Sequence, residues 1–214
     1  MLVSSIGFLK QFLTSPKSIG AIAPSSRGLA RSMTDWIDWP RVRNAVEVGP
    51  GTGAFTRTIL RRMNDDAHFF MIELNGSFAR KLTRQFPGIT VYLDSVENLA
   101  DCCDREGIER VDAILCGLPW ASFSPDLQDR CLDAITRSLR PGGQFVTFAY
   151  LHGLVLPSAK RFRAKLGEHF ASIERSPVRW MNLPPAFVYR CRTAAHDVAR
   201  PGVQSPREPL ESAA

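Results

Sequence analysis

No apolar run in the chain approaches the ~20 residues needed to cross a bilayer. The opening MLVSSIGFLKQFLTSPK has no early positive cluster, and Lys10 and Lys17 interrupt its apolar stretch, which argues against a secretory signal. Cysteine is scarce. Cys102, Cys103, Cys116, Cys131 and Cys191 are odd in number and form no C-x-x-C pair, so neither a disulfide framework nor a structural zinc site is expected, and no metal is assigned. Internal repeats are absent. With 44% hydrophobic and 22% charged residues, the 214-residue chain is neither disordered nor collagen-like, and it can bury a sizeable core. A soluble, cytoplasmic protein is expected.

Acid is also missing from the first 34 residues, which carry Lys10, Lys17, Arg27 and Arg31. Residues 35–150 hold 16 acids against 13 bases, whereas 151–192 hold 8 bases against Glu168 and Glu174. A mildly acidic centre between two basic ends suits a polyanionic partner, either nucleic acid or an anionic membrane surface. Within 2–14, Leu2, Ile6, Leu9 and Leu13 fall on one helical stripe. Its broad apolar face and sparse charge fit lipid better than nucleic acid. A helix packed on the protein's own core is the alternative.

From 44 to 150 the pattern alternates between strand and helix. Strands are expected at 44–48, 68–73, 91–93, 111–116 and 144–150. Helices are expected from the glycine cluster to about 63, at 76–86 and at 126–139, with a further helix at 27–37. A basic helix at 158–170 and two strands at 172–180 and 186–192 follow, and 195–214 reads as a disordered tail. The expected fold is α/β, a doubly wound and mostly parallel sheet ending in an antiparallel hairpin.

Ligands of such sheets bind beyond the carboxyl ends of the strands. Glu47-Val-Gly-Pro-Gly-Thr-Gly53 runs off the first strand there and opens a helix, so its backbone can approach a ligand closely. Gly49, Gly51 and Ala54 also satisfy the dinucleotide pattern, and Glu73 stands at the end of the next strand, where a carboxylate can accept two ribose hydroxyls. Glycines alone therefore leave a nicotinamide enzyme open. An acid two residues before the first glycine suits a cationic head group better than a pyrophosphate.

With Cys116-Gly-Leu-Pro-Trp120 and Arg140-Pro-Gly-Gly143, these residues resemble the class I methyltransferases that use S-adenosylmethionine. The resemblance implies a cofactor site made of Glu47, Gly49, Pro50, Gly51, Thr52 and Gly53 under the methionine part. Glu73 and Leu74 would lie at the ribose, Asp94 and Ser95 near the adenine, and Gly117, Ser25 and Ser26 would close the site. Gly117-Leu118-Pro119-Trp120 looks like the Asn/Asp-Pro-Pro-aromatic turn of amine methyltransferases and the Asn-Leu-Pro-aromatic turn of the ribosomal RNA adenine dimethylases. Carbonyls of such a turn can align an amine, and an indole face can stabilise the charge growing on its nitrogen. Here the first position is Gly117, which has no side-chain amide or carboxylate.

Phe8-Leu-Lys-Gln-Phe-Leu13, Gly20-Ala-Ile-Ala-Pro-Ser-Ser-Arg27 and Asn182-Leu-Pro-Pro-Ala-Phe-Val-Tyr-Arg190 resemble the bacterial phospholipid and ornithine-lipid N-methyltransferases. That resemblance implies methylation of a lipid amine, phosphatidylethanolamine or an ornithine lipid, by direct in-line transfer at the inner face of the membrane. The partners would be that amine lipid and an anionic membrane surface, with no nucleic acid and no obligate protein partner. Residues 1–34 would form an amphipathic extension and 35–194 the methyltransferase domain. Tyr150 and His152, past the fifth strand, are candidates to contact the head group or accept its proton. A ribosomal RNA adenine methyltransferase and a non-catalytic lipid-surface module are the alternatives.

Overall fold

The structure is a computed structural model, and it describes residues 26–195. Short, almost continuously apolar strands build one sheet with a covered face on each side. In chain order the elements are α1 (Arg27–Thr34), β1 (Asn44–Val48), α2 (Thr56–Leu60), β2 (His68–Ile72), α3 (Gly76–Gln85), β3 (Thr90–Tyr92), α4 (Leu99–Arg105) and β4 (Val111–Cys116). There follow α5 (Pro125–Ser138), β5 (Leu139–Tyr150), α6 (Pro157–His169), β6 (Ser172–Arg175) and β7 (Ala186–Arg192). The sheet order is β3-β2-β1-β4-β5-β7-β6. β1 to β5 run parallel, and β7 is antiparallel to both β5 and β6. No helix among the described residues is long and apolar enough to cross a membrane.

Successive strand residues face opposite layers. Val46, Val48, Phe70, Ile72, Ile114 and Cys116 pack towards α4, α5 and α6 through Leu99, Leu132 and Phe162. Ala45, Phe69, Met71, Ala113 and Leu115 pack towards α1, α2 and α3 through Leu29, Ile59 and Leu82. All five cysteines are buried and unpaired.

The boundary expected at residue 34 between extension and domain lies earlier in the structure. Leu29 and Met33 of α1 are fully buried in the core, so this helix belongs to the folded domain rather than to an extension. The apolar stripe at 2–14 lies outside the described residues, as does the tail from 196. The helix α4 was not anticipated. The strand expected over 172–180 stops at Arg175, with Arg179 returning only as an isolated bridge to Ala186. β5 begins earlier than expected, pairing Leu139 with Val111 before its register shifts.

Reversal of strand order between β1 and β4 makes the crevice at their carboxyl ends. At the opposite end, the buried Asp112 carboxylate fixes the start of the same two strands. Its Oδ2 accepts the backbone N–H groups of Arg43 and Asn44, both at 2.8 Å, and Oδ1 is paired with Arg140. Asp112→Ala would leave two backbone donors without acceptors. It is expected to cost about 2 kcal/mol in urea unfolding, with cofactor affinity of the folded protein unchanged.

Candidate active site

Everything at the crevice follows from how β1 ends. Gly49, Gly51 and Gly53 all have positive φ, and the Gly53 N–H closes a turn onto the Pro50 carbonyl at 2.9 Å. Gly51 has φ +56, and a Cβ built on it meets nothing within 4 Å, so the loop presents bare backbone to open space. Thr52 is exposed beside it, and Pro50 is buried beneath. At the end of β4, the Gly117 N–H donates to the Val48 carbonyl at 2.8 Å. A Cβ on Gly117 would drive into the Gly49 carbonyl oxygen, inside van der Waals contact. That collision is the physical reason the turn starts with glycine: the two strand ends touch through backbone, and no Asn or Asp side chain fits. Leu118 packs on Gly49, and Pro119 is partly exposed.

Two carboxylates stand under this loop. Glu47 is completely buried on the α1–α2–α3 side of β1, and its Oε2 accepts the Thr56 hydroxyl at 2.6 Å. Its Oε1 is buried and has no hydrogen-bond partner. Desolvation by burial pushes this carboxyl up to about 8, against the lowering effect of the Thr56 hydrogen bond. Glu73, just past β2, accepts the Gly51 N–H through Oε2 at 2.9 Å and the Asn75 N–H through Oε1 at 2.8 Å. Burial raises its pKa as well, opposed by those backbone donors. Glu73 thus fastens the glycine loop to the start of α3, and each oxygen keeps lone-pair capacity for a hydroxyl. Leu74 is partly buried against the core.

Past β3, Asp94 Oδ1 accepts from the Ser95 N–H and from Asn98 Nδ2, both at 2.7 Å, while Ser95 caps the turn that leads into α4. Leu93 between them is exposed, and it approaches Gly76 beside the Glu73 loop. Sequence reasoning passed over Leu93 and Thr56. An unpaired acid inside a buried strand was the available signal for a neighbouring hydroxyl.

The structure corrects one expectation. Trp120 is 4% exposed; it stacks on Phe162 with centroids 4.5 Å apart, and its indole N–H donates to Thr147 Oγ1 at 2.9 Å. The indole is therefore a core residue, and its face is spent on phenylalanine rather than offered to an amine. Ser26 caps α1, its Oγ accepting the Leu29 N–H, so its hydroxyl serves the helix. Ser25 lies outside the described residues. Tyr150 is half-buried at the end of β5, with its ring stacked on the exposed His152 at 5.7 Å, and burial raises its phenol.

The residues present suit S-adenosylmethionine on their own evidence. Glu47 leaves one buried oxygen unpartnered, and Gly51 borders open space. Exposed Leu93, next to Asp94 in sequence, approaches Gly76 just past Glu73, where a base could rest.

A methyltransferase domain family matches residues 45–143. The ornithine lipid N-methyltransferase of Singulisphaera acidiphila is 31% identical over 188 residues, covering 86% of this chain and 94% of that protein. The chain belongs to the ornithine lipid N-methyltransferase family. The O-methyltransferase TomG of Streptomyces achromogenes, solved in complex with S-adenosylmethionine, shares the fold of this methyltransferase. Its TM-score is 0.65 at 15% identity, covering 89% of this chain and 90% of that one. The N-methyltransferase NodS of Bradyrhizobium japonicum, solved with S-adenosyl-L-homocysteine, has a TM-score of 0.57 at 16% identity over 78% of this chain and 84% of that one. The enzyme is thus an S-adenosylmethionine-dependent methyltransferase of α/β fold.

Two outcomes are expected of this site. The folded methyltransferase keeps the Glu47 proton to about pH 8, whereas the unfolded chain releases it near the ordinary carboxylate value of 4.5. The folded state therefore binds the extra proton between those limits, and stability falls as pH rises through the window, by up to about 1.4 kcal/mol per unit. Glu47→Gln should flatten that slope in urea titrations run from about pH 5 to 8 and weaken cofactor binding. Trp120→Ala should destabilise the fold by about 3–5 kcal/mol, with loss of activity tracking loss of folded protein across temperature.

Proposed function

We propose that the methyltransferase acts on the amine head group of a membrane lipid, an ornithine lipid or phosphatidylethanolamine, at the inner face of the membrane. The observation that carries this is the backbone contact of Gly117 with the glycine loop, which brings an uncharged, carbonyl-bearing turn onto the cofactor crevice. The curated relative named for ornithine lipid supports the same substrate class.

When bound, S-adenosylmethionine supplies a sulfonium-activated methyl group. Glu47 would hold the cationic amino group: its unpartnered buried oxygen is relieved of a desolvation cost once a positive charge lies beside it. Gly49 to Gly53 would lie under the methionine part, with Glu73 accepting from the ribose. Asp94, Ser95 and the exposed Leu93 would border the adenine. On the acceptor side, carbonyls of Gly117 and Leu118 accept the N–H bonds of a neutral amine and set its lone pair in line, so that positioning supplies much of the acceleration. Trp120 takes part only through the core it anchors. It fixes the turn from behind, and Gln128 Nε2 holds its carbonyl at 2.8 Å.

Burial keeps the Tyr150 phenol protonated, so Tyr150 serves as a hydrogen-bonding group towards the head group rather than as a base. His152, exposed and stacked on it, would pass the amine's proton to solvent.

Radiolabelled methyl transfer to total lipid, ribosomal RNA and protein, assayed separately, tests this reading. Label should enter lipid alone. Gly51→Val would place a β-branched side chain in left-handed backbone and in the open space above the loop, and should abolish transfer together with cofactor binding. Tyr150→Phe should lower turnover while leaving cofactor affinity within about twofold, since the proposal assigns the phenol to the acceptor. Label in ribosomal RNA and none in lipid would overturn the proposal.

A further inference from the structure

Because β7 runs antiparallel to β5, the loop that enters it lies at the carboxyl ends of the parallel strands, beside the crevice. Three of its side chains are large, apolar and in solvent: Trp180 is 66% exposed, Met181 91% and Leu183 72%. Their exposure is built in, because the residue between them is a buried pin. Asn182 accepts the Ser26 N–H through Oδ1 at 3.0 Å, and its Nδ2 donates to the Pro184 carbonyl at 2.7 Å. Arg179 holds the other side of the loop, its Nε donating to Ser32 Oγ at 2.5 Å and its N–H to the Ala186 carbonyl at 2.7 Å.

Next to this loop, the turn after β5 adds Val155, 76% exposed, and Leu156. The two segments are tied where the Leu151 N–H donates to the Pro185 carbonyl at 2.8 Å. Charge on the same rim has one sign. Residues 26–34, 151–167 and 176–189 contain no acid, and Arg27, Lys160 and Arg161 stand exposed among them. An apolar tip within an acid-free basic margin matches the interface of an anionic bilayer, where apolar side chains enter the acyl boundary and cations meet the head groups.

We propose that this rim, with Trp180, Met181 and Leu183 at its tip, is the surface by which the enzyme seats on an anionic membrane, holding the crevice over a lipid amine that never leaves the bilayer. The inference rests on the lipid reading above and adds the surface that delivers the substrate.

The full-length protein is mixed with vesicles of phosphatidylcholine and phosphatidylglycerol at roughly 2:1. Brominated phosphatidylcholine serves as the depth quencher. Tryptophan emission should shift to the blue and be quenched, and Trp180→Phe should remove most of the quenching while vesicle binding persists. Trp180→Ser/Met181→Ser/Leu183→Ser should bind vesicles about tenfold more weakly, with melting temperature and cofactor affinity unchanged. Vesicle binding by the triple variant equal to wild type would overturn the proposal. So would shielding of Trp180 from aqueous acrylamide without vesicles; that would show the tip covered by residues 1–25 or, if shielding rises with protein concentration, by a second copy. Methyl transfer to detergent-dispersed amine lipid separates the two readings. The triple variant should retain it, and its absence from wild type would end the lipid-amine assignment whatever the vesicles show.

Discussion

The site depends on one steric constraint: the carboxyl ends of β1 and β4 meet through backbone alone. Gly117 has no room for a Cβ against the Gly49 carbonyl, so the loop that follows β1 and the turn that follows β4 are neighbours by contact. Donor and acceptor sites for a group transfer must lie within bonding reach of each other. A side chain at that seam would hold them apart by its own thickness. The buried Glu47 and the bridging Glu73 then act on a loop whose position is already set from the other side.

The same seam explains a departure that looks like a loss when read from residues alone. Related turns begin with Asn or Asp, and here no polar side chain is available at the first position. Under the proposed function, orienting the amine falls to main-chain carbonyls, which are rigid and need no rotamer to be selected. Trp120 is then released from any duty towards the acceptor and serves as the keystone beneath the turn, with its indole clasped between Thr147 and Phe162.

Much of the fold was legible because buried parallel strands read as short continuous apolar runs. Asn44–Val48 and Val111–Cys116 match residue for residue, and the glycine loop with Glu47 and Glu73 is local enough to be read from spacing. α4 was missed because Leu99, Cys102 and Cys103 carry its apolar stripe; the cysteines were weighed for redox chemistry when they act as small hydrophobic groups. Arg140-Pro-Gly-Gly143 reads as a stop, yet β5 runs through it: Leu139 before it pairs with Val111 and Gln144 after it with Ala113. The direction of the Trp120 ring was beyond the local pattern, since Phe162 and Thr147, which decide it, are distant in sequence. The apolar tip at 180–183 was hidden for a similar reason: burial of Asn182 between exposed hydrophobic neighbours inverts the usual order and is enforced by Ser26, at the far end of the folded chain.

Burial of every cysteine leaves the native surface chemically silent towards thiol reagents. Each of the five thiols is enclosed, and desolvation raises them, Cys102 to about 11 and Cys103, Cys116 and Cys191 to about 12, so essentially no thiolate exists at neutral pH. Oxidants that act on thiolates find no exposed thiol on the folded enzyme. A cysteine introduced anywhere on the surface would be the single reactive thiol of the molecule, free to carry a spin label or a cross-linker without any native residue having to be removed.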